Sequence, residues 1–210
     1  MRVGAGNTWR RMAHVALLTG VLAGCSEAEE AGKADSDSRA SARPSATTAT
    51  ATTASSGGTI GAAGSPCELP VTFDFAKSWT AESVEAPLRQ GPVSLACEID
   101  AKPAGNIGYL RVWTGEPGSD DARKVLEAFV AAEDGASKAQ YRSFKAGELA
   151  GVEVEYLYTS ELLDEKKTES AFAVTTADGP VVVHLGGLDT EEHEEMLPAY
   201  ELARRTLRTA

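Results

Sequence analysis

Beyond residue 14 the chain has two histidines, His184 and His193, so proton transfer through an imidazole would have to use one of them. Neither stands in a recognisable hydrolase motif. The nearest approach to a Gly-x-Ser-x-Gly elbow, Gly135-Ala136-Ser137-Lys138-Ala139, follows a helical segment, whereas the elbow needs a strand before it. No Ser-x-x-Lys occurs. His184 closes the apolar run Val181-Val182-Val183 and is followed, after Leu185, by Gly186-Gly187, which would let a ligand or backbone come close. A buried, hydrogen-bonded histidine beside a turn is the competing account. His193 sits among Glu191, Glu192, Glu194 and Glu195, with Asp189 one helical turn before it. Asp189 and His193 could hold a cation, but the acids have a sufficient role at a helix start. Paired carboxylates for glycoside hydrolysis cannot be chosen among so many acids. Phosphate loops, haem motifs and calcium loops are absent from the sequence, and the expectation is a protein without catalytic residues, cofactor or metal.

The aromatics Tyr109, Trp113, Tyr156 and Tyr158 fall on expected strands, where they usually form core or cross-strand pairs, and Trp79, in the mixed segment 77–90, is expected to pack against the sheet. If several lined an open face they would suit a glycan, lipid or protein. Trp113, two residues before Gly115, is the one expected to be exposed. It joins His184 as a candidate ligand contact in a pocket between sheet and helix. Glu153 and Glu155 would show an acidic stripe on one strand, either to a basic partner or, as the first account, simply to solvent.

The elements that must position these residues are legible from hydropathy periods. Val71-Thr72-Phe73-Asp74-Phe75 alternates as a half-buried strand does, and Val93, Leu95, Cys97 and Ile99 share one parity, which places Cys97 on the inner face. Further strands are expected at 107–114, 140–146, 152–158, 170–176 and 181–185, the last two joined at Asp178-Gly179. A helix capped by Asp120 or Asp121 would bury Ala122, Val125, Leu126, Phe129 and Val130 and turn Arg123, Lys124, Glu127 and Glu133 to water. A second would open near Asp189 or Thr190, bury Met196, Tyr200, Ala203 and Leu207, and have Pro198 as a kink or as its true start. The result is an α+β domain: six or seven strands, mostly antiparallel, with two main helices.

The N-terminus carries a different kind of chemistry. Residues 1–24 hold Arg2, Arg10 and Arg11 without an acid, then an apolar run from Val15 to Leu22, too short to span a membrane. Leu22-Ala23-Gly24-Cys25 resembles the lipobox of bacterial lipoproteins. That resemblance implies a diacylglyceryl group on the Cys25 thiol, removal of the preceding residues, and acylation such as palmitate sufficient for stable anchoring. Residues 25–66 are rich in Ala, Ser, Thr and Gly with one branched aliphatic, Ile60, and read as the lipidated cysteine and a disordered tether. Residues 67–210 form the extracytoplasmic domain.

That domain holds 26 Asp and Glu against 14 Lys and Arg, a net charge of 14 − 26 = −12. Nucleic-acid binding needs a basic face, so nucleic acid is excluded as a partner. Cys67 and Cys97 are the cysteines left beside Cys25, and outside the cytoplasm an even pair reads as a disulfide.

Val71 to Phe75 followed by Trp79, the middle helix, the strand after Gly151, the long hairpin and the terminal helix resemble the PsbP-like α/β/α sandwich, and within it the LpqN group of actinobacterial lipoproteins. Cys67, just after Ser65-Pro66, together with Cys97 is also similar to a second set of actinobacterial lipoproteins. The resemblance implies a non-enzymatic accessory domain on the extracytoplasmic face of the cell membrane, binding another envelope component, a protein first. A small ligand or cell-wall glycan is the alternative, and a hydrolase comes third.

Overall fold

The computed structural model describes residues 53–118, 120–160 and 165–210. The expected signal segment, Cys25 and the tether as far as residue 52 lie outside the described residues.

Strand β1 (Ser56–Ile60) pairs antiparallel with β2 (Val71–Ala76), and β2 pairs with the short terminal strand β11 (Arg208–Thr209). The described end of the expected tether is therefore part of the fold. Ser-Gly-Gly-Thr-Ile shows no alternation, but Ile60 is fully buried and its register opposite Phe73 fixes the strand.

The main sheet has eight strands: β3 (Thr80–Ser83), β4 (Arg89–Gln90), β5 (Val93–Asp100), β6 (Tyr109–Thr114), β7 (Ala136–Ala146), β8 (Leu149–Thr159), β9 (Lys166–Thr176) and β10 (Gly179–Gly186). Their order is β3-β5-β6-β10-β9-β8-β7, with β4 beside β5, and every ladder is antiparallel. The α+β class and the two helices match the sequence reading. The strand count is higher because β1, β3, β4 and β11 are short or polar and carry no hydropathy signal.

Helix α1 (Ala122–Ala131) starts where Asp121 accepts the Lys124 N–H at 2.9 Å, and buries Val125, Leu126, Phe129 and Val130 on one face of the sheet. Helix α2 (Thr190–Thr206) is capped by Asp189, which accepts the Glu192 N–H at 2.8 Å. It contains Pro198 in its interior and buries Met196, Tyr200 and Ala203 against the opposite face, together with β2. Two cores thus lie on the two faces of one sheet.

Strand β5 serves both. Leu95 stands opposite Trp113 and Cys97 opposite Val112, so two steps on β5 match one on β6. This β-bulge reverses the alternation. Val93 and Leu95 face α1, whereas Cys97 and Ile99 face α2. The uniform parity expected from sequence fails at Ala96. Cys97 still lies inward, bonded to Cys67 with the Cα atoms 5.9 Å apart.

Candidate polar cleft on the sheet

On the α1 face, β8, β9 and β10 bring together residues that the sequence separates widely. Tyr156 on β8 pairs in register with Glu169 on β9, and His184 on β10 pairs with Ala171, two residues further along. Period-2 alternation puts all three side chains on the same face. Glu133 reaches them from the turn after α1.

The tyrosine hydroxyl is the centre of the group. Tyr156 Oη lies 2.5 Å from Glu133 Oε2, 3.0 Å from Glu169 Oε2 and 3.1 Å from His184 Nε2. His184 Nε2 is 2.9 Å from Glu169 Oε2. The other oxygen of Glu169 accepts from Lys167 Nζ at 2.7 Å, and that ammonium also donates to the Gly187 carbonyl at 2.6 Å. Tyr156, Glu169 and His184 are buried, and Phe129 of α1 stands edge-on to the imidazole at 5.7 Å.

This setting separates two carboxyl groups electrostatically. Burial alone would raise Glu169, but the charges and hydrogen bonds of His184 and Lys167 hold its carboxyl down at about 2. Burial, and then the negative charge of Glu169, push Glu133 up from the usual carboxylate range. Burial also drives the Tyr156 phenol well above its ordinary value. Glu169 is thus a fixed anion, and Glu133 the group that more readily carries a proton.

Glu133, Lys167, Glu169 and His184 form part of the floor of a cleft of about 350 Å³, lined also by Tyr109, Arg111 and Tyr158, with Tyr156 buried beneath them. Arg111 is held by Glu98 at 2.7 Å and lies over the Tyr109 ring at 5.1 Å. Lys167 lies over Tyr158 at 5.2 Å. Two aliphatic side chains stand at the lips, Ile107 at 61% and Leu188 at 55% exposure. The Glu192 carboxylate accepts the backbone N–H of both, so the first turn of α2 ties the lips together. A side chain on Gly108 would meet the Gly186 carbonyl at 2.5 Å and the end of Met196 at 2.2 Å, which restricts that position to glycine.

Of the two expected ligand contacts, His184 is in the cleft and Trp113 is not. Trp113 is buried, packed edge-on against Phe129 at 5.4 Å, because its register opposite Leu95 and Val182 points it under α1. Its expected exposure is corrected accordingly. Glu133, expected to face water, turns inward to the tyrosine. Glu153, expected in a solvated acidic face, is paired with Arg204, and with Arg142 at 3.6 Å. His193 lies on the opposite face, its Nε2 3.0 Å from Ser170 Oγ, and Asp189 is engaged as the α2 cap.

Glu133, Glu169 and His184 each offer a donor atom within 4.8 Å of the others. Among the described residues they are the group able to hold a metal ion. Glu133, Lys167 and Glu169 are the site residues that the sequence reading missed, whereas Tyr156 was named there only among the strand aromatics. Only Glu169 and Lys167, at i and i+2 on one strand, left a local trace.

The fold and the cleft define an antiparallel α+β sandwich with a polar site on one face of its sheet. The chain belongs to the family described as "Uncharacterised lipoprotein", whose sequence pattern matches residues 36–207. It is a lipoprotein. A solved structure similar to it is that of LpqN, involved in cell envelope biogenesis of Mycobacterium tuberculosis, with 14% identity, a TM-score of 0.44, and coverage of 73% of this chain and 91% of that one. No curated protein matches the sequence. Among the described residues no helix is long and apolar enough to cross a membrane.

Proposed function

We propose that this lipoprotein is anchored through Cys25 on the extracytoplasmic face of the membrane and uses the cleft to bind a small polar ligand, with an envelope sugar as the class that fits. The family and Leu22-Ala23-Gly24-Cys25 support the anchor. The observation that carries the ligand reading is the cleft itself: convergent Lys167, Glu169 and His184 on rigid strands, with the rings of Tyr109 and Tyr158 at its walls and exposed aliphatics at its lips. Hydrogen-bonding groups in two charge states beside aromatic faces suit the hydroxyls and the apolar face of a pyranose.

Two further observations favour this reading over its alternatives. Large exposed apolar residues among those described are Leu88, Ile107 and Leu188, and two of the three belong to the cleft rather than to a flat protein-docking patch. The Nε2 of His184 faces a phenol and a carboxylate, not an aliphatic hydroxyl, while the serine that does meet a histidine, Ser170, is buried on the other face. This arrangement supports a reading of binding without turnover.

The test is titration of the purified chain with soluble cell-wall disaccharides, followed by amide NMR. Shifts clustering at Tyr109, Lys167 and His184 and lost in Lys167→Ala support the reading. Saturation with no shift there, or no shift at all, overturns it and returns the protein-adaptor reading to first place.

A further inference from the structure

The inner end of the cleft has a hydrogen deficit. Four close contacts, of 2.5, 3.0, 3.1 and 2.9 Å, link four electron-rich atoms: Glu133 Oε2, Tyr156 Oη, Glu169 Oε2 and His184 Nε2. The phenol brings one hydrogen, and the imidazole nitrogen brings at most one. With both carboxyl groups ionised, the phenol hydrogen can point at Glu133 or at Glu169 but not at both, which leaves a lone pair facing a lone pair in a buried place. Lys167 does not fill this gap, because its ammonium is directed to the far oxygen of Glu169 and to the Gly187 carbonyl.

We propose that Glu133, Glu169 and His184 bind a divalent first-row transition-metal ion at the inner end of the cleft, with Tyr156 beside it. Two carboxylate oxygens and one imidazole nitrogen are a donor set that zinc and its neighbours accept, and three protein ligands leave a coordination position free. The three donors come from the turn after α1, from β9 and from β10, and so are held by rigid strands on two of three sides. Glu133 is half-buried and borders the cleft, which gives the ion a route in. The open position would face the same cleft, where a hydroxyl of a bound ligand could enter. The competing occupant is a single extra proton on Glu133: it would then donate to Tyr156, which would donate to Glu169.

The test uses the purified full chain, stripped with chelator and desalted, titrated with Zn²⁺ by calorimetry and with Co²⁺ by visible absorption. One saturable site per chain with cobalt ligand-field bands is expected. Glu133→Gln and His184→Ala should each weaken it by at least about 10-fold, and Glu191→Gln, on the exposed first turn of α2, should leave it unchanged. Glu133→Gln alters a half-exposed residue, and circular dichroism verifies its fold. No saturable uptake, or uptake that survives both substitutions, overturns the inference and assigns the deficit to the proton. No sugar is present in this titration. A chain that binds sugar but no metal therefore keeps the proposed function and loses only this site.

Discussion

The rings of Tyr156 and His184 lie 20° from parallel with centroids 6.3 Å apart, and the tyrosine hydroxyl meets the imidazole Nε2 at 3.1 Å. The stacking leaves the ring's packing independent of the hydroxyl. Tyr156→Phe should therefore keep the core and lose only the group that separates Glu133 from Glu169. The expected loss is about 1–3 kcal/mol at neutral pH, since buried carboxylate oxygens lose a donor. Urea unfolding of the two proteins reads it directly, and an unchanged midpoint would show that the hydroxyl contributes nothing to stability.

His193 sets a pH dependence on the other face of the sheet. Burial first, and the positive charges of His184 and Lys167, lower it from 6.5 to about 4, although the Glu169 charge opposes them. An unfolded chain therefore binds a proton on this residue between about pH 6.5 and 4 that the folded chain refuses, and stability falls as pH falls through that window. Full titration is worth about 3 kcal/mol at 1.36 kcal/mol per pH unit. Unfolding midpoints at pH 7.5 and 4.5 measure the slope, and His193→Gln should flatten it.

The Cys67–Cys97 bridge closes a loop with a sequence separation of 30 and joins the segment before β2 to the main sheet. On the chain-entropy estimate its removal costs about 3–4 kcal/mol. Denaturant midpoints of Cys67→Ala/Cys97→Ala against the bridged protein should show that loss, and reductant should add nothing further in the double variant.

Glu192 is expected to control the lips of the cleft. Glu192→Ala frees the amides of Ile107 and Leu188, which it now accepts. Hydrogen exchange at those two amides should accelerate by at least about 10-fold, the equivalent of one charged hydrogen bond. Amides of β9 and β10 should keep their protection.

The parts of the fold that were legible in sequence are those where one periodicity ran without interruption. The Val125, Leu126, Phe129 stripe of α1 and the Asp189 cap of α2 are local signals, and both hold. Where the chain departs from a simple period, local reading fails. The bulge at Ala96 sends Leu95 and Cys97 to opposite faces although their spacing says otherwise. Strand β1 exists because β2 offers it an edge, a fact that Ser-Gly-Gly-Thr-Ile does not contain. The cleft was half visible. His184 could be singled out by rarity and by Gly186-Gly187, but Tyr156 meets Glu169 only through the register of β8 on β9, and Glu133 joins them only through the turn after α1. In sequence they look like three ordinary members of an acidic, tyrosine-containing chain.

Strand β5, shared between both faces by its bulge, makes the two cores mechanically inseparable. Val93 and Leu95 cannot leave the α1 side without pulling Cys97 and Ile99 from the α2 side. The domain is therefore expected to unfold as a single cooperative unit in spite of its two hydrophobic compartments. Nature has also placed a reporter in each: Trp113 in the compartment under α1 and Trp79 in the one under α2. The emission of both is expected to shift to the red in one concerted melting event, with neither compartment persisting as a partly folded remnant when the other gives way.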